Sequence, residues 1–163
     1  MTELATLRNQ IEEKERELSL LHEKYNEVVE TEKSKVLKAK SHGMSKTKYL
    51  LGFEFKSSSR RTPQYIEFYR VFKREFTALL KSFCSDIQIG RPNHFDVTGF
   101  FKTKKGVIYY FSLGDLRWNK DSMLIRTAKD FNDYTGGKNN DIGINNLEEE
   151  IKPFLEASAG SVW

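Results

Sequence analysis

Apolar residues over the first 28 positions recur at alternating spacings of three and four: Leu4, Leu7, Ile11, Leu18, Leu21, Tyr25 and Val28, with Lys14 as the one polar member of the stripe. Set among charged residues, this repeat predicts a coiled-coil helical arm over residues 1–40, on the order of 58 Å long at 1.5 Å per residue. So narrow a stripe needs a second long helix or a groove on a partner, and the other strong helical pattern in the chain is about half as long. The expectation is self-association into a homodimer through Leu4, Leu7, Ile11, Leu18, Leu21, Tyr25 and Val28. A helix-in-groove contact with a foreign protein is the alternative, followed by packing along the chain's own domain. After Val36 the pattern dissolves, and Gly43 between serines marks the helix end.

The period then changes. Tyr49 to Phe55 reads as a short strand within a basic linker, 41–61. Thr62-Pro63 places an N-cap residue before a proline at the first helical position. Tyr65, Tyr69, Phe72, Phe76, Leu79 or Leu80, and Phe83 follow at helical spacing, an amphipathic helix over 63–83 whose aromatic stripe is read as core. Alternation with period two begins at Phe95, Val97, Gly99 and Phe101, against His94, Asp96, Thr98 and Phe100. It turns at Lys104-Lys105-Gly106 and resumes at Val107, Tyr109, Phe111 and Leu113. Turn residues at Gly114-Asp115 and Asn119-Lys120-Asp121 precede a third strand, Met123 to Thr127. A long polar loop spans Asp130 to Gly143. Asn145 with Glu148 forms a capping box for a final acidic helix that Pro153 kinks or shortens. The fold class expected is α+β: an N-terminal coiled-coil helix followed by a small domain, 62–157, with a three- or four-stranded antiparallel sheet and two helices, then a tail, 158–163.

Charge changes this picture because it is sorted along the chain. Residues 1–32 carry nine acids against four bases, and residues 33–61 carry nine bases against Glu54 alone. Residues 62–129 add twelve bases and six acids, while the segment from 130 has two bases and seven acids. The formal +4 thus conceals a basic centre between acidic ends. A concentrated positive field attracts polyanions, so nucleic acid, or a nuclease ribonucleoprotein, is the first partner to consider; a solvated linker is the bland alternative. The binding candidates are Lys35, Lys38, Lys40, Lys46, Lys48, Arg60, Arg61, Arg70, Arg74, Lys102, Lys104, Lys105, Arg117, Trp118, Arg126 and Lys129. Lysines near a helix end also complement its dipole. Trp118 among Arg117, Arg126 and Lys129 combines stacking with charge; its alternative role is a core anchor.

Residues for catalysis are sparse. Cys84, the single cysteine, excludes a disulfide framework and a Cys-rich zinc site, and it suits a reducing cytoplasm. No basic, then apolar, leader and no apolar run near the ~20 residues of a bilayer span stands out. Glu54-Phe55-Lys56 has an acid-x-lysine spacing without a preceding Asp, and Asp96, Asp115, Asp121, Asp130 and Asp133 lack a nuclease spacing. A metal-dependent nuclease is therefore the third reading, His94 and His42 are read as structural or solvated, and no catalytic residue, metal or cofactor is expected.

Three resemblances follow from particular residues. Lys105 to Phe111 resembles the start of an RNA-recognition-motif signature, with Val107 where an aromatic belongs. Helix, three strands and helix, with Gly90-Arg91-Pro92-Asn93-His94 after the first helix, resembles a double-stranded RNA-binding domain, but Glu148-Glu149-Glu150 stand where that family has a lysine cluster. His94 to Phe101, Tyr110 to Trp118 and Leu124 to Lys129, with Asp133-Tyr134-Thr135-Gly136-Gly137, resemble small accessory proteins of phages and plasmids over residues 62–157. That setting includes anti-CRISPR inhibitors of Cas nucleases. The resemblance implies a non-enzymatic binding protein docking on nucleic acid or a nuclease–nucleic-acid complex; a stand-alone DNA- or RNA-binding accessory protein is the alternative.

Overall fold

Thr2 opens the first helix, α1 (Glu3–Lys38), by accepting a hydrogen bond from the Ala5 amide, with Glu3 in the first turn and Lys35 and Lys38 in the last. Both ends therefore complement the helix dipole. In this computed structural model, which describes residues 2–55, 62–92 and 95–161, α1 lies in one compact unit (Met1–Lys40) and the rest in a second (Ser41–Trp163). Leu4, Leu7, Ile11, Leu18, Leu21, Tyr25 and Val28 are 50–68% exposed on α1. No helix among the described residues is long and apolar enough to cross a membrane.

The second unit is α+β. It contains α2 (Ser45–Leu51), α3 (Pro63–Leu80), β1 (Cys84–Ile89), β2 (Val97–Thr103), β3 (Ile108–Leu113), β4 (Ser122–Thr127), β5 (Asn140–Gly143), α4 (Leu147–Glu150) and α5 (Lys152–Glu156). The five strands form one antiparallel sheet in sequence order, each paired with the next. Thr62 caps α3 through the Tyr65 amide and Pro63 starts it, as the sequence predicts.

The helical period of α3 meets the strand period of the sheet along an aromatic layer. Tyr65, Phe68, Tyr69, Phe72, Phe76 and Leu80 are buried, Leu80 rather than Leu79 filling the inward place. Phe76 sits edge-on to Phe111 at 5.0 Å and to Phe101 at 6.2 Å, and Phe72 stacks on Phe76 at 4.9 Å. Each ring so buried contributes roughly 2–3 kcal/mol. The tyrosines at the start of α3 bury their rings and keep their hydroxyls bonded, Tyr65 to the Asp96 carbonyl and Tyr69 to the Gly90 carbonyl. Gly99 is required beneath this layer: a Cβ there would lie 2.8 Å from the Phe111 ring and 2.3 Å from the Gln88 carbonyl.

Five expectations are corrected. The strand read over Tyr49–Phe55 is α2 and the turn after it. Buried Glu75 of α3 accepts from the Lys46 amide at 3.0 Å, the Thr47 amide at 2.8 Å and the Thr47 hydroxyl at 2.7 Å, so a carboxylate from another helix caps α2. That cap makes α2 part of the body, and residues 41–55 are not a free linker. Among the described residues the sheet has five strands, not three or four: β1 forms from a run in which polar and apolar residues are mixed, and β5 forms inside the long loop. The body also has more than two helices, because α2 is added and the final helix is divided into α4 and α5, with Pro153 in the first turn of α5. The capping box does not form; Asn146 is the N-cap, without a side-chain hydrogen bond. Glu148 instead accepts from the Met44 amide at 2.8 Å and the Lys48 ammonium at 2.7 Å.

Two predictions follow from these carboxylates. Glu75→Ala strands three buried donors and should lower unfolding free energy by about 3 kcal/mol in urea titration, with Glu75→Gln recovering part of it. Burial pushes the Glu148 carboxyl up, but the bonds from Lys48 and the Met44 amide outweigh it and leave its pKa below the ordinary value. The stability Glu148 contributes is therefore present above the unfolded carboxylate pKa of about 4.3 and lost as pH falls through the lower folded value. Urea titrations across pH should show the difference between wild type and Glu148→Gln shrinking below about pH 4.

Candidate nucleic-acid interface

With α3 on one face, the alternate strand positions point to the other. The register places Gln88, Phe100, Tyr110 and Arg126 in one row across β1, β2, β3 and β4. The Phe100 and Tyr110 rings lie 5.3 Å apart, and the Arg126 guanidinium lies over Tyr110 at 5.2 Å. Both are favourable aromatic and cation–π geometries. Arg126 Nε is buried without a hydrogen-bond partner among the described residues. Lys102, opposite Ile108 on the same face, is exposed, as is Lys129 just beyond β4.

The segment after β4 folds onto this row. Phe131 stacks on Phe100 at 5.7 Å with planes 16° apart, and Tyr134 tilts against Tyr110 at 5.8 Å while remaining 57% exposed. Aspartates shape the segment. Asp130 accepts from the Asn132 amide, and Asp133 accepts from both the hydroxyl and the amide of Thr135. The Thr135 hydroxyl first, and its amide second, hold the Asp133 carboxyl below its usual range. Gly137, at φ 68°, passes so close to Thr127 that a Cβ would meet its carbonyl at 2.6 Å, which fixes the return of the segment to the sheet.

The basic candidates divide by role. Lys48 is paired with Glu148, Lys46 is buried, and Lys105 donates to the Glu156 carbonyl at 2.7 Å. Arg117 grips Asp115 through Nε and Nη2 and covers Phe95 at 4.5 Å. These four serve the fold. Lys35, Lys38 and Lys40 are exposed at the end of the first unit, and Arg70, Arg74, Lys102, Lys104 and Lys129 are exposed on the second; Arg60 and Arg61 lie outside the described residues, as do Lys56 and His94. Among the described residues no three His, Cys, Asp or Glu side chains converge as a metal-binding set. Burial, partly offset by Lys104, pushes the Cys84 thiol up to about 11 and keeps it protonated.

Sequence reading passed over Phe100, Tyr110, Phe131 and Tyr134. The signal was present: Phe100 and Tyr110 occupy positions that alternation assigns to the solvent side, where an aromatic is informative. Comparisons with protein-family models, with curated proteins and with solved structures return no match for this chain.

Trp118 is 81% exposed and is no core anchor. Trp118→Ala should leave the circular dichroism spectrum unchanged and shift unfolding free energy by no more than about 0.5 kcal/mol.

Proposed function

We propose that this protein is a non-enzymatic binding protein that docks on nucleic acid through the aromatic face of its sheet opposite α3, which the segment carrying Phe131 and Tyr134 partly covers. One observation carries the reading: Phe100, Tyr110 and Arg126 stand in a single row, two ring faces followed by a guanidinium. Bases stack on such rings whatever their identity, and Arg adds charge and its own stacking plane. Lys102, next to Phe100 on the same face, and Lys129, just beyond β4, are exposed cations available to a backbone leaving the rings. Unpaired strands fit this surface better than a duplex, whose bases are already stacked on one another.

The resemblance to phage and plasmid accessory proteins extends the proposal to an inhibitor of CRISPR nucleases, acting in the cytoplasm on a nuclease that holds guide or target strand. The acidic stretch 1–32 and the acidic segment from 130 support this form, because nuclease surfaces that hold nucleic acid are basic.

Fluorescence anisotropy with labelled single-stranded RNA, single-stranded DNA and duplex at low salt tests the core of the proposal. Single strands should bind more tightly than duplex. Phe100→Ala and Tyr110→Ala should each weaken binding by about 5- to 150-fold, the range of one lost stacking contact. Lys102→Gln with Lys129→Gln should reduce the slope of log affinity against log salt by about 0.7 per contact. Absence of binding at low salt, or equal affinity for duplex, overturns direct recognition. Inhibition of a Cas nuclease that survives Phe100→Ala and Tyr110→Ala overturns the role of this face.

A further inference from the structure

We infer that α1 pairs with α1 of a second copy as a parallel, in-register two-stranded coiled coil over residues 4–28. This inference is independent of the nucleic-acid reading. In the heptad abcdefg, Leu4, Ile11, Leu18 and Tyr25 occupy a, while Leu7, Lys14, Leu21 and Val28 occupy d. The seven apolar members are 50–68% exposed, so the whole stripe is available for burial. It ends at Val28, because the next a and d residues are Glu32 and Lys35.

The flanking charges select the occupant and its direction. In a parallel pair each g residue faces the e residue five places on in the second copy. Glu3 then faces Arg8, Gln10 faces Glu15, Glu17 faces His22, and Lys24 faces Val29, with no like-charge pair among them. An antiparallel pair with the same overlap matches Leu4 with Val28 and Leu7 with Tyr25. Its e–e and g–g contacts bring Glu15 against Glu15 and Glu17 against Glu17 at the centre of the seam. The parallel form has one like-charge contact, Lys14 against Lys14 at d. There the Lys14 ammonium already lies 2.8 Å from Glu17 of its own helix, at the edge of the seam. A single polar residue in the stripe specifies register at a cost in stability, and Lys14 fits that part. The parallel arrangement also gathers Lys35 and Lys38 of both copies at one end of the coil.

The mass of the full-length protein by light scattering should be that of a dimer, and Leu18→Glu with Leu21→Glu should halve it while near-ultraviolet circular dichroism of the body is unchanged. Direction is read by oxidation. Leu4→Cys alone should crosslink to itself, since facing a positions bring Cα atoms within disulfide range, and buried Cys84 does not compete. Lys14→Leu should keep the dimer and tighten it at least tenfold. A monomer or a higher oligomer in the wild type overturns the inference. So does a Leu4→Cys protein that crosslinks only when mixed with Val28→Cys, the antiparallel result.

Discussion

Helix α3 covers the centre of one face of a five-stranded sheet, with Phe154 of α5 against Tyr109 on the same face, and that arrangement governs the rest of the body. The aromatic layer of Phe72 and Phe76 against Phe101 and Phe111 is closed on the inner side. Period-two alternation then forces every second strand residue to the opposite face. Were that face meant only for water, it would carry small polar and charged groups, as Thr98 and Ser112 do. Phe100, Tyr110, Ile108 and Leu124 occupy it instead, and the segment carrying Phe131 and Tyr134 covers part of them. The site is thus a consequence of the layer count: a second helix on this side would have made the same rings core.

Two carboxylates complete the body at its edges. Glu75 reaches from α3 to the start of α2, and Glu148 reaches from α4 to the same stretch of backbone. Residues 43–48 are therefore held from two sides, and part of the basic stretch becomes structural. Gly43, at φ 58°, makes room for this: a Cβ there would lie 2.6 Å from Glu148 Oε1. The burial of Glu75 is offset because two of the three hydrogen bonds it accepts satisfy helix N-terminal amides that would otherwise be orphaned, the third coming from the Thr47 hydroxyl.

Legibility in the sequence followed locality. Helix α3 was readable to its cap because Thr62, Pro63 and the aromatic period all sit within the element. Strands β2, β3 and β4 were readable from alternation and the Lys104–Gly106 turn. Misreadings arose where a distant partner decides the outcome. Tyr49–Phe55 has strand-like composition, yet its backbone follows the cap supplied by Glu75, 28 residues from Thr47. Glu148 has capping-box spacing, yet it spends its oxygens on Met44 and Lys48, about a hundred residues away. β1 and β5 are outer strands of the sheet in which polar and apolar residues are mixed, and pairing with β2 and β4 makes them strands. Of the candidate site, the charges and the solvent-side positions of Phe100 and Tyr110 are legible, but their alignment is not, since no single strand shows that Phe100, Tyr110 and Arg126 share a row.

The basic centre is smaller in effect than its count. Residues 33–129 carry 21 bases and seven acids. Several of those bases are committed within the fold: Lys48 to Glu148, Arg117 to Asp115, Lys105 to a carbonyl of α5, and Lys120 to the Phe53 carbonyl. A cation already bonded to a carboxylate adds little to the field a polyanion feels, because the pair presents a dipole and not a charge. On the proposed reading, counterion release from the face opposite α3 would involve few cations, chiefly Lys102, Lys129 and Arg126. Affinity for nucleic acid on that face would then come largely from ring stacking, which salt does not screen. Under the proposed function, such a surface would discriminate by whether bases are unstacked, and its binding would persist at ionic strengths that detach proteins relying on charge alone.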